Sequence, residues 1–164
     1  MTVTSERSDA FTEWARANQP ALGRYAVLLT TDRSAAEDLV QEALIRTYLN
    51  WGKVGPLQGQ AFARRCMANL LTDWWRRSRF VSRRAVQETA AGDPYGVADD
   101  RDQILRALSR LTPRERTFVV LRHFWGLSEQ ETAAELGVSV GTVKSTTSRA
   151  LAALRSDPEL GGRL

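Results

Sequence analysis

The sequence predicts an all-α protein of two small helical domains joined by a flexible acidic linker. Apolar residues recur at helical spacing along most of the 164 residues. No long stretch alternates apolar and polar residues, and no Asn-Gly hairpin signal occurs. One segment lacks periodicity and contains helix-breaking Gly92, Pro94 and Gly96. We therefore expect a first domain over 8–82, a linker over 83–100 and a second domain over 101–157.

The first domain should contain three helical stretches. Pro20 is expected to divide the first stretch into two helices or to mark a helix start. Ser34 and Glu37 are expected to form a capping box for a helix that runs to about Asn50. A loop should precede a third helix over 60–79, because four helix-breaking residues lie close together there: Gly52, Gly55, Pro56 and Gly59.

The second domain should contain four helices. The first covers 101–110, and the next begins with Thr112 as N-cap, Pro113 at the first helical position and Glu115 two residues later. It should end near Gly126. A capping box of Ser128 and Glu131 should start a short helix, and a last helix should run over 140–155.

Composition excludes most classes of catalytic site. Hydrophobic residues make up 43% and charged residues 26% of the chain, which is a normal globular balance. The chain has one cysteine, Cys66, and one histidine, His123, so no internal disulfide and no histidine-based metal site is expected. Asp73 has no second acid nearby in sequence to share a metal ion, which disfavours a nuclease. We expect no enzyme, no cofactor and no small-molecule substrate.

The chain also lacks targeting signals. No run approaches eighteen apolar residues, and the first residues contain acids where a signal peptide would be apolar. We expect a cytoplasmic protein with no membrane contact of its own.

Charge is unevenly distributed and points toward a nucleic acid. The net charge is +4, and arginine supplies 21 of the 23 basic residues. Residues 64–84 contain seven arginines and one acid, whereas residues 85–104 contain five acids and one arginine. A charge run can also be an ordinary solvated face. The neighbouring motifs must therefore show whether these charges bind a nucleic acid.

The segment 127–154 has the pattern of a helix-turn-helix. Ala133 supplies a small residue where two helices cross, and Gly137 can take the positive φ of the turn. Val138, Val143 and Leu151 should face inward. The outward face of the last helix should hold short hydroxyls and cations that suit a DNA major groove: Thr142, Lys144, Ser145, Thr146, Ser148 and Arg149. Helix-turn-helix geometry also occurs as plain helix packing.

The helix over 60–79 combines an apolar stripe with a polar and basic face. Cations can follow phosphates, and an indole can stack on an unpaired base, so this face suits single-stranded DNA. The alternative is that the tryptophans are core and the arginines solvated. The candidate residues are Arg65, Asn69, Thr72, Asp73, Trp75, Arg76, Arg77 and Arg79.

The helix over 34–50 has a mixed acidic and apolar face with Asp38, Gln41, Glu42 and Ile45. Acids repel phosphates, so a protein-docking face explains this mixture better than DNA contact. A solvated helix face remains the alternative.

Together these segments resemble the extracytoplasmic-function (ECF) class of bacterial RNA polymerase sigma factors, the minimal two-domain form of the sigma-70 family. The resemblance rests on AAEDLVQEALIRTYLNW, then FARRCMANLLTDWWRRSR, and after the linker LTPRERTFVVLRHFWGLSEQETAAELGVSVGTVKSTTSRALAALR. It covers about 10–157, in order. The WWRR run and LLTTDRSAAEDLVQEAL look like the SigE-type subgroup.

The resemblance implies partners and residue roles. Core RNA polymerase and promoter DNA are the expected partners. The DLVQEA segment matches the core-docking helix, which assigns core binding to Asp38, Leu39, Gln41 and Glu42. The CMANLLTDWWRR segment matches the part that melts the minus-ten element, and Asn69 falls at a base-reading position. The GTVKSTTSR helix matches the reader of the minus-thirty-five element. An anti-sigma factor could stabilise a closed form that hides these faces, but the sequence identifies none.

The chain departs from many relatives in its last helix. Thr146 stands where they carry an arginine, and Thr147 where they carry a leucine. The lost cation predicts weaker phosphate contact. We expect Thr147 to face inward, where it would weaken the packing of the last helix.

One other reading explains the second domain alone. A helix-turn-helix regulator that binds duplex DNA without polymerase accounts for 128–155, but not for the arginine-tryptophan helix or the DLVQEA face. Such a regulator also needs a dimerisation helix, and no sustained heptads are found.

Overall fold

A computed structural model describes residues 2–78 and 98–158. Every regular element in these two ranges is helical, as the sequence predicted. None of the helices found there has the length and apolar character that a bilayer crossing needs. A five-residue π-helical segment, Val120–Phe124, follows the fifth α-helix. The α-helices are α1 (Thr2–Thr30), α2 (Arg33–Leu49), α3 (Trp51–Ser78), α4 (Ala98–Ser109), α5 (Pro113–Val119), α6 (Glu129–Leu136) and α7 (Val140–Arg155).

Helix α1 runs through Pro20 without a break, so the prediction of two helices or a helix start there was wrong. A proline inside a helix removes one backbone donor and is costly. Here the residues on both sides of it are held by the same core, because Trp14 and Leu22 are both buried in one apolar cluster. Tertiary packing therefore overrides the local preference of the proline.

The N-cap of helix α2 lies two residues before the predicted one. Asp32 is the N-cap, and its side chain accepts a hydrogen bond from the amide of Ala35 at 2.8 Å. The predicted box of Ser34 and Glu37 was wrong because Asp32 already fills the capping position, and the helix has begun at Arg33.

The predicted loop before the third helix is reduced to one kink. Helix α3 starts at Trp51, and only Gly55 departs from helical geometry, with φ 63° and ψ 179°. That left-handed φ is one that glycine adopts without steric cost. Gly59 has a different role: a Cβ atom there would lie 2.7 Å from the Trp14 ring, so only glycine allows this approach of α1 and α3.

The second domain follows its predicted capping pattern closely. Thr112 with Glu115, and Ser128 with Glu131, form complete capping boxes at the starts of α5 and α6. Gly137 ends α6 with φ 66°, as the turn required. The hydrogen bonds to Ser128 also hold the pKa of Glu131 below its ordinary value.

Helix α4 begins at Ala98, three residues before its predicted start, whereas the linker residues 83–97 lie outside the described ranges. His123 is exposed in the π-helical segment.

One apolar core runs through both domains. Leu22, Tyr25 and Leu29 of α1 belong to the same buried cluster as Leu108 of α4 and Val120 after α5. Cys66 is a buried free thiol in this cluster, and burial raises its pKa. A second, smaller cluster of Phe118, Ala133 and Val143 holds the helix-turn-helix together, as predicted for the last two. The two domains therefore pack directly against each other.

Candidate nucleic-acid interface

Helix α3 presents most of its predicted DNA-binding residues to solvent. Its inner side is fixed by buried Ala63, Met67 and Leu70, which turns the opposite side outward. Trp74 packs partly against the core, as expected, whereas the side chain of Trp75 and all of Arg79 lie outside the described part. The exposed predicted residues are Arg65, Asn69, Thr72, Asp73, Arg76 and Arg77.

These exposed residues form two groups rather than one face. Helical spacing places Arg65, Asn69, Thr72 and Arg76 on one stripe. Asp73 and Arg77 instead line a groove of about 460 Å³ between α2 and α3. The groove is also lined by Asp38, Gln41, Glu42, Ile45, Arg46, Leu70 and Trp74, of which the first four were proposed from the sequence for protein docking. The structure therefore places Asp73 beside the acidic face of α2.

Three of the four residues predicted for the docking face of α2 are at least partly accessible to solvent. Asp38 and Gln41 are exposed, and Glu42 is half-buried and paired with Arg46 at 3.1 Å. Leu39 is wrong as a contact residue, since it is fully buried in the core between the helices of the first domain. Ile45, Tyr48 and Leu49 add exposed apolar surface to the same helix.

The last helix, α7, exposes four of the six residues predicted to read DNA. Lys144, Ser145, Ser148 and Arg149 are exposed. The half-buried Thr142 hydroxyl lies 2.9 Å from the N-cap Ser139 hydroxyl.

Thr146 is the prediction that fails in α7. It is 3% exposed and lies on the buried side of the helix with Val143, Thr147 and Ala150. A short threonine can be covered there, whereas the longer arginine of many relatives would have to extend beyond the helix surface. Thr147 is buried as predicted, and its hydroxyl has no hydrogen-bond partner among the described residues.

Sequence reasoning missed a buried cluster between the domains. Arg64 of α3 pairs with Glu135 of α6 at 3.1 Å, and their side chains are only 9% and 7% exposed. The Arg64 guanidinium also lies 4.6 Å from the Trp125 ring centroid, and Trp125 meets Tyr25 edge-on at 5.1 Å. Burial raises the pKa of Glu135 and of Tyr25. No sequence signal could have found the pair, because its members are 71 residues apart.

A second arginine joins the domains through backbone carbonyls. Arg116 is buried in α5 and donates to the carbonyl oxygens of Leu108 and Leu111, and across the domain boundary to that of Leu29. The Leu29 and Leu108 carbonyls lie in the last turns of α1 and α4, and the Leu111 carbonyl lies between α4 and α5. Burial lowers the pKa of Arg116 to about 10.

Comparison with known proteins assigns this arrangement to a family. The family model described as Sigma-70 region 2 matches residues 14–81, and the model described as Sigma-70, region 4 matches residues 101–154. The RNA polymerase sigma-E factor of Streptomyces avermitilis is 41% identical over 152 residues, which cover 91% of this chain and 85% of that protein. The chain belongs to the sigma-70 family. Within it, the chain is an RNA polymerase sigma factor of the ECF type.

Further relatives agree with this assignment. The ECF RNA polymerase sigma factor SigL of Mycobacterium tuberculosis is 32% identical over 142 residues, covering 82% of this chain and 80% of SigL. Among solved structures, the sigma factor RpoE of Bartonella quintana, crystallised with the anti-sigma factor NepR, is similar with a TM-score of 0.73. It is 26% identical and covers 94% of this chain and 98% of that one.

Family membership decides against the other reading of the second domain. A helix-turn-helix regulator without polymerase docking does not explain the region 2 match over 14–81, so that reading is not favoured. The sigma-70 family is not an enzyme class.

Proposed function

We propose that the two domains of this sigma factor divide promoter recognition between them. The first domain, over 8–82, docks on core RNA polymerase and holds the melted minus-ten element. The second, over 101–157, anchors on the duplex minus-thirty-five element, and the acidic linker over 83–100 connects them. One observation carries this proposal: the two sigma-70 models match these two blocks in order, one on each.

The polymerase-docking role rests on the acidic face of α2. Asp38 and Gln41 are exposed and Glu42 is half-buried, and all three border the groove between α2 and α3. Exposed Ile45 and Leu49 supply apolar area beside them, and interfaces of this composition suit a protein partner better than phosphates. Core polymerase then supplies the bond chemistry, so the chain itself needs no catalytic residue and acts in the cytoplasm with the polymerase.

The minus-ten role rests on the stripe of Arg65, Asn69, Thr72 and Arg76. Its cations can follow the phosphates of an opened strand, and the Asn69 amide can hydrogen-bond an exposed base edge. Unstacking a base costs a few kcal/mol, which such contacts partly offset.

The minus-thirty-five role rests on the exposed side of α7. Lys144 and Arg149 can neutralise phosphates, while Ser145 and Ser148 can reach base edges or phosphates. Lys144 also lies 3.7 Å from Glu129 in an exposed pair that water screens, so exchanging this acid for a phosphate is inexpensive.

Association with core polymerase tests the docking role. Asp38→Arg reverses one charge on the proposed interface and should weaken binding of core polymerase at least tenfold, about 1.4 kcal/mol. Glu13→Arg makes the same charge change at an exposed acid on α1 and serves as the matched control. Fluorescence anisotropy of the labelled chain, titrated with sigma-free core polymerase, measures both. Equal affinities of the two variants would contradict the assignment.

A further inference from the structure

The groove between α2 and α3 contains residues that the proposed function leaves unassigned. Asp73 and Arg77 line it from α3, but neither belongs to the stripe of α3 residues assigned to the minus-ten element. The opposite wall is the docking face of α2, with Asp38, Gln41 and Glu42. One cavity of about 460 Å³ therefore joins a surface assigned to a protein partner with two residues that the sequence had assigned to DNA.

The groove also has an apolar floor. Leu70 is only 5% exposed, Trp74 is partly buried against the core, and exposed Ile45 lies on the α2 side. An amphipathic helix laid along such a groove covers its apolar floor and meets the charges on its walls. This composition suits a protein segment better than a nucleic-acid backbone, which offers phosphates and sugars to a surface.

The charges on the walls indicate the charge of the partner segment. Glu42 is paired with Arg46 at 3.1 Å, whereas neither Asp38 nor Asp73 forms an ion pair within the described ranges. These two carboxylates lie on opposite walls, and the part of the chain that the structure describes holds no group of acids arranged for a metal ion. They repel phosphates and attract cations, so they favour a basic protein segment.

Helix α3 separates its two kinds of partner by direction. Successive residues of an α-helix point about 100° apart, so Asp73 faces a different side from its neighbour Thr72. Thr72 lies on the stripe with Asn69 and Arg76, whereas Asp73 lies in the groove. Both Thr72 and Asp73 are exposed. One helix can therefore hold an opened DNA strand on one side and a protein segment on the other.

We propose that Asp73 extends the polymerase-docking surface from α2 onto α3. The groove receives an amphipathic helix of core polymerase, whose apolar side chains meet the floor and whose cations meet Asp38 and Asp73. Asp73 is then a docking residue and takes no part in reading the minus-ten element. This inference rests on the proposed docking role of α2 and names a further residue of the same interface.

Association with core polymerase in the absence of DNA tests this assignment, because a DNA-reading residue plays no part in it. Asp73→Asn should weaken binding about threefold, the size expected for one exposed ion pair. Asp73→Arg should weaken it about tenfold, because repulsion is added to the lost attraction. Glu13→Gln and Glu13→Arg make the same charge changes at an exposed acid on α1 and should leave the affinity unchanged. Anisotropy of the labelled chain, titrated with sigma-free core, measures all four.

Two further readouts separate a charge contact from a structural or DNA-reading role. The difference in affinity between the parent and Asp73→Asn should shrink as salt rises, since exposed charges are screened. A difference that stays constant with salt would overturn the contact. With core in saturating amounts, Asp73→Asn should open promoter DNA as the parent does. Reduced permanganate reactivity combined with normal core affinity would return Asp73 to the DNA surface. Circular dichroism should show full helicity for both Asp73 variants.

Asp38→Arg distinguishes failure of this inference from failure of the proposed function. If Asp38→Arg weakens core binding and both Asp73 variants bind as the parent does, docking on α2 holds and its extension onto α3 is wrong. If none of these variants weakens core binding, the proposed docking role fails, and the extension fails with it.

Discussion

At the scale of single residues, Asn69 is the side chain whose proposed role is most specific. It is exposed on α3 with Arg65 and Arg76 on the same stripe, and its neighbours Ala68 and Leu70 are buried, which fixes its direction. Its amide offers both a donor and an acceptor to a base edge. Its removal should therefore affect reading of the opened strand and leave the fold intact.

We expect Asn69→Ala to reduce formation of the open promoter complex about tenfold, or ~1.4 kcal/mol. Permanganate reactivity of unpaired thymines, measured with core polymerase present, reports the opening. Gln19→Ala is the control, because it removes an exposed amide from α1, outside the stripe. Equal opening by the two variants would exclude Asn69 as a base-reading residue.

Glycine at 59 is required by contact rather than by backbone conformation. We expect Gly59→Ala to destabilise the fold by about 1–3 kcal/mol, since its Cβ would lie 2.7 Å from the buried Trp14 ring. Gly23→Ala on α1 meets nothing within 4 Å and should instead stabilise by about 0.5–1 kcal/mol. Thermal unfolding of both variants gives the comparison. A Gly59→Ala variant as stable as the parent would mean that the two helices can separate at no cost.

At the scale of elements, helix-end chemistry was the part of the fold most accessible from the sequence. The capping boxes at Thr112 and Ser128 and the turn at Gly137 involve residues within a few positions of each other, and all three are confirmed. Pro20 and the glycines before α3 were misread for the opposite reason. Their local preference for a break is opposed by distant core contacts, such as those of Trp14 and Leu22, that sequence spacing does not show.

The predictions for the candidate site also succeeded in part and failed in part. Periodicity placed Asn69 and Arg149 outward, where the structure has them. It put Thr146 on the wrong side, and the family resemblance, rather than periodicity, assigned the fully buried Leu39 to docking. The Arg64–Glu135 pair could not be predicted, because no sequence pattern around either residue indicates a partner 71 positions away.

Without the buried Thr146, the exposed face of α7 leads to a prediction about its cation Arg149. Arg149→Ala should weaken binding to minus-thirty-five duplex DNA and reduce the slope of log affinity against log salt by about 0.9, the value for one lost phosphate contact. Thr146→Val should leave that slope unchanged, because Thr146 is buried. Anisotropy titrations at several salt concentrations measure both slopes. A lower affinity of Thr146→Val for the same duplex at fixed salt would return this residue to the DNA surface.

At the scale of the whole molecule, the structure combines exposed binding faces with a closed domain arrangement. Leu29 of α1, Leu108 of α4 and Val120 share one core, and Arg116 ties the end of α1 to the second domain. The faces on α2, α3 and α7 all remain available to partners. Partner binding therefore does not need to uncover these surfaces.

The central claim is that this chain directs promoter-specific initiation by core RNA polymerase. Run-off transcription tests it most directly: the purified chain is mixed with sigma-free bacterial core polymerase and fragments of its own genome, and the transcripts are sequenced. We expect new start sites that share two upstream elements and that disappear when either the chain or core is omitted. No core-dependent initiation, together with tight binding of the chain alone to duplex DNA, would contradict it.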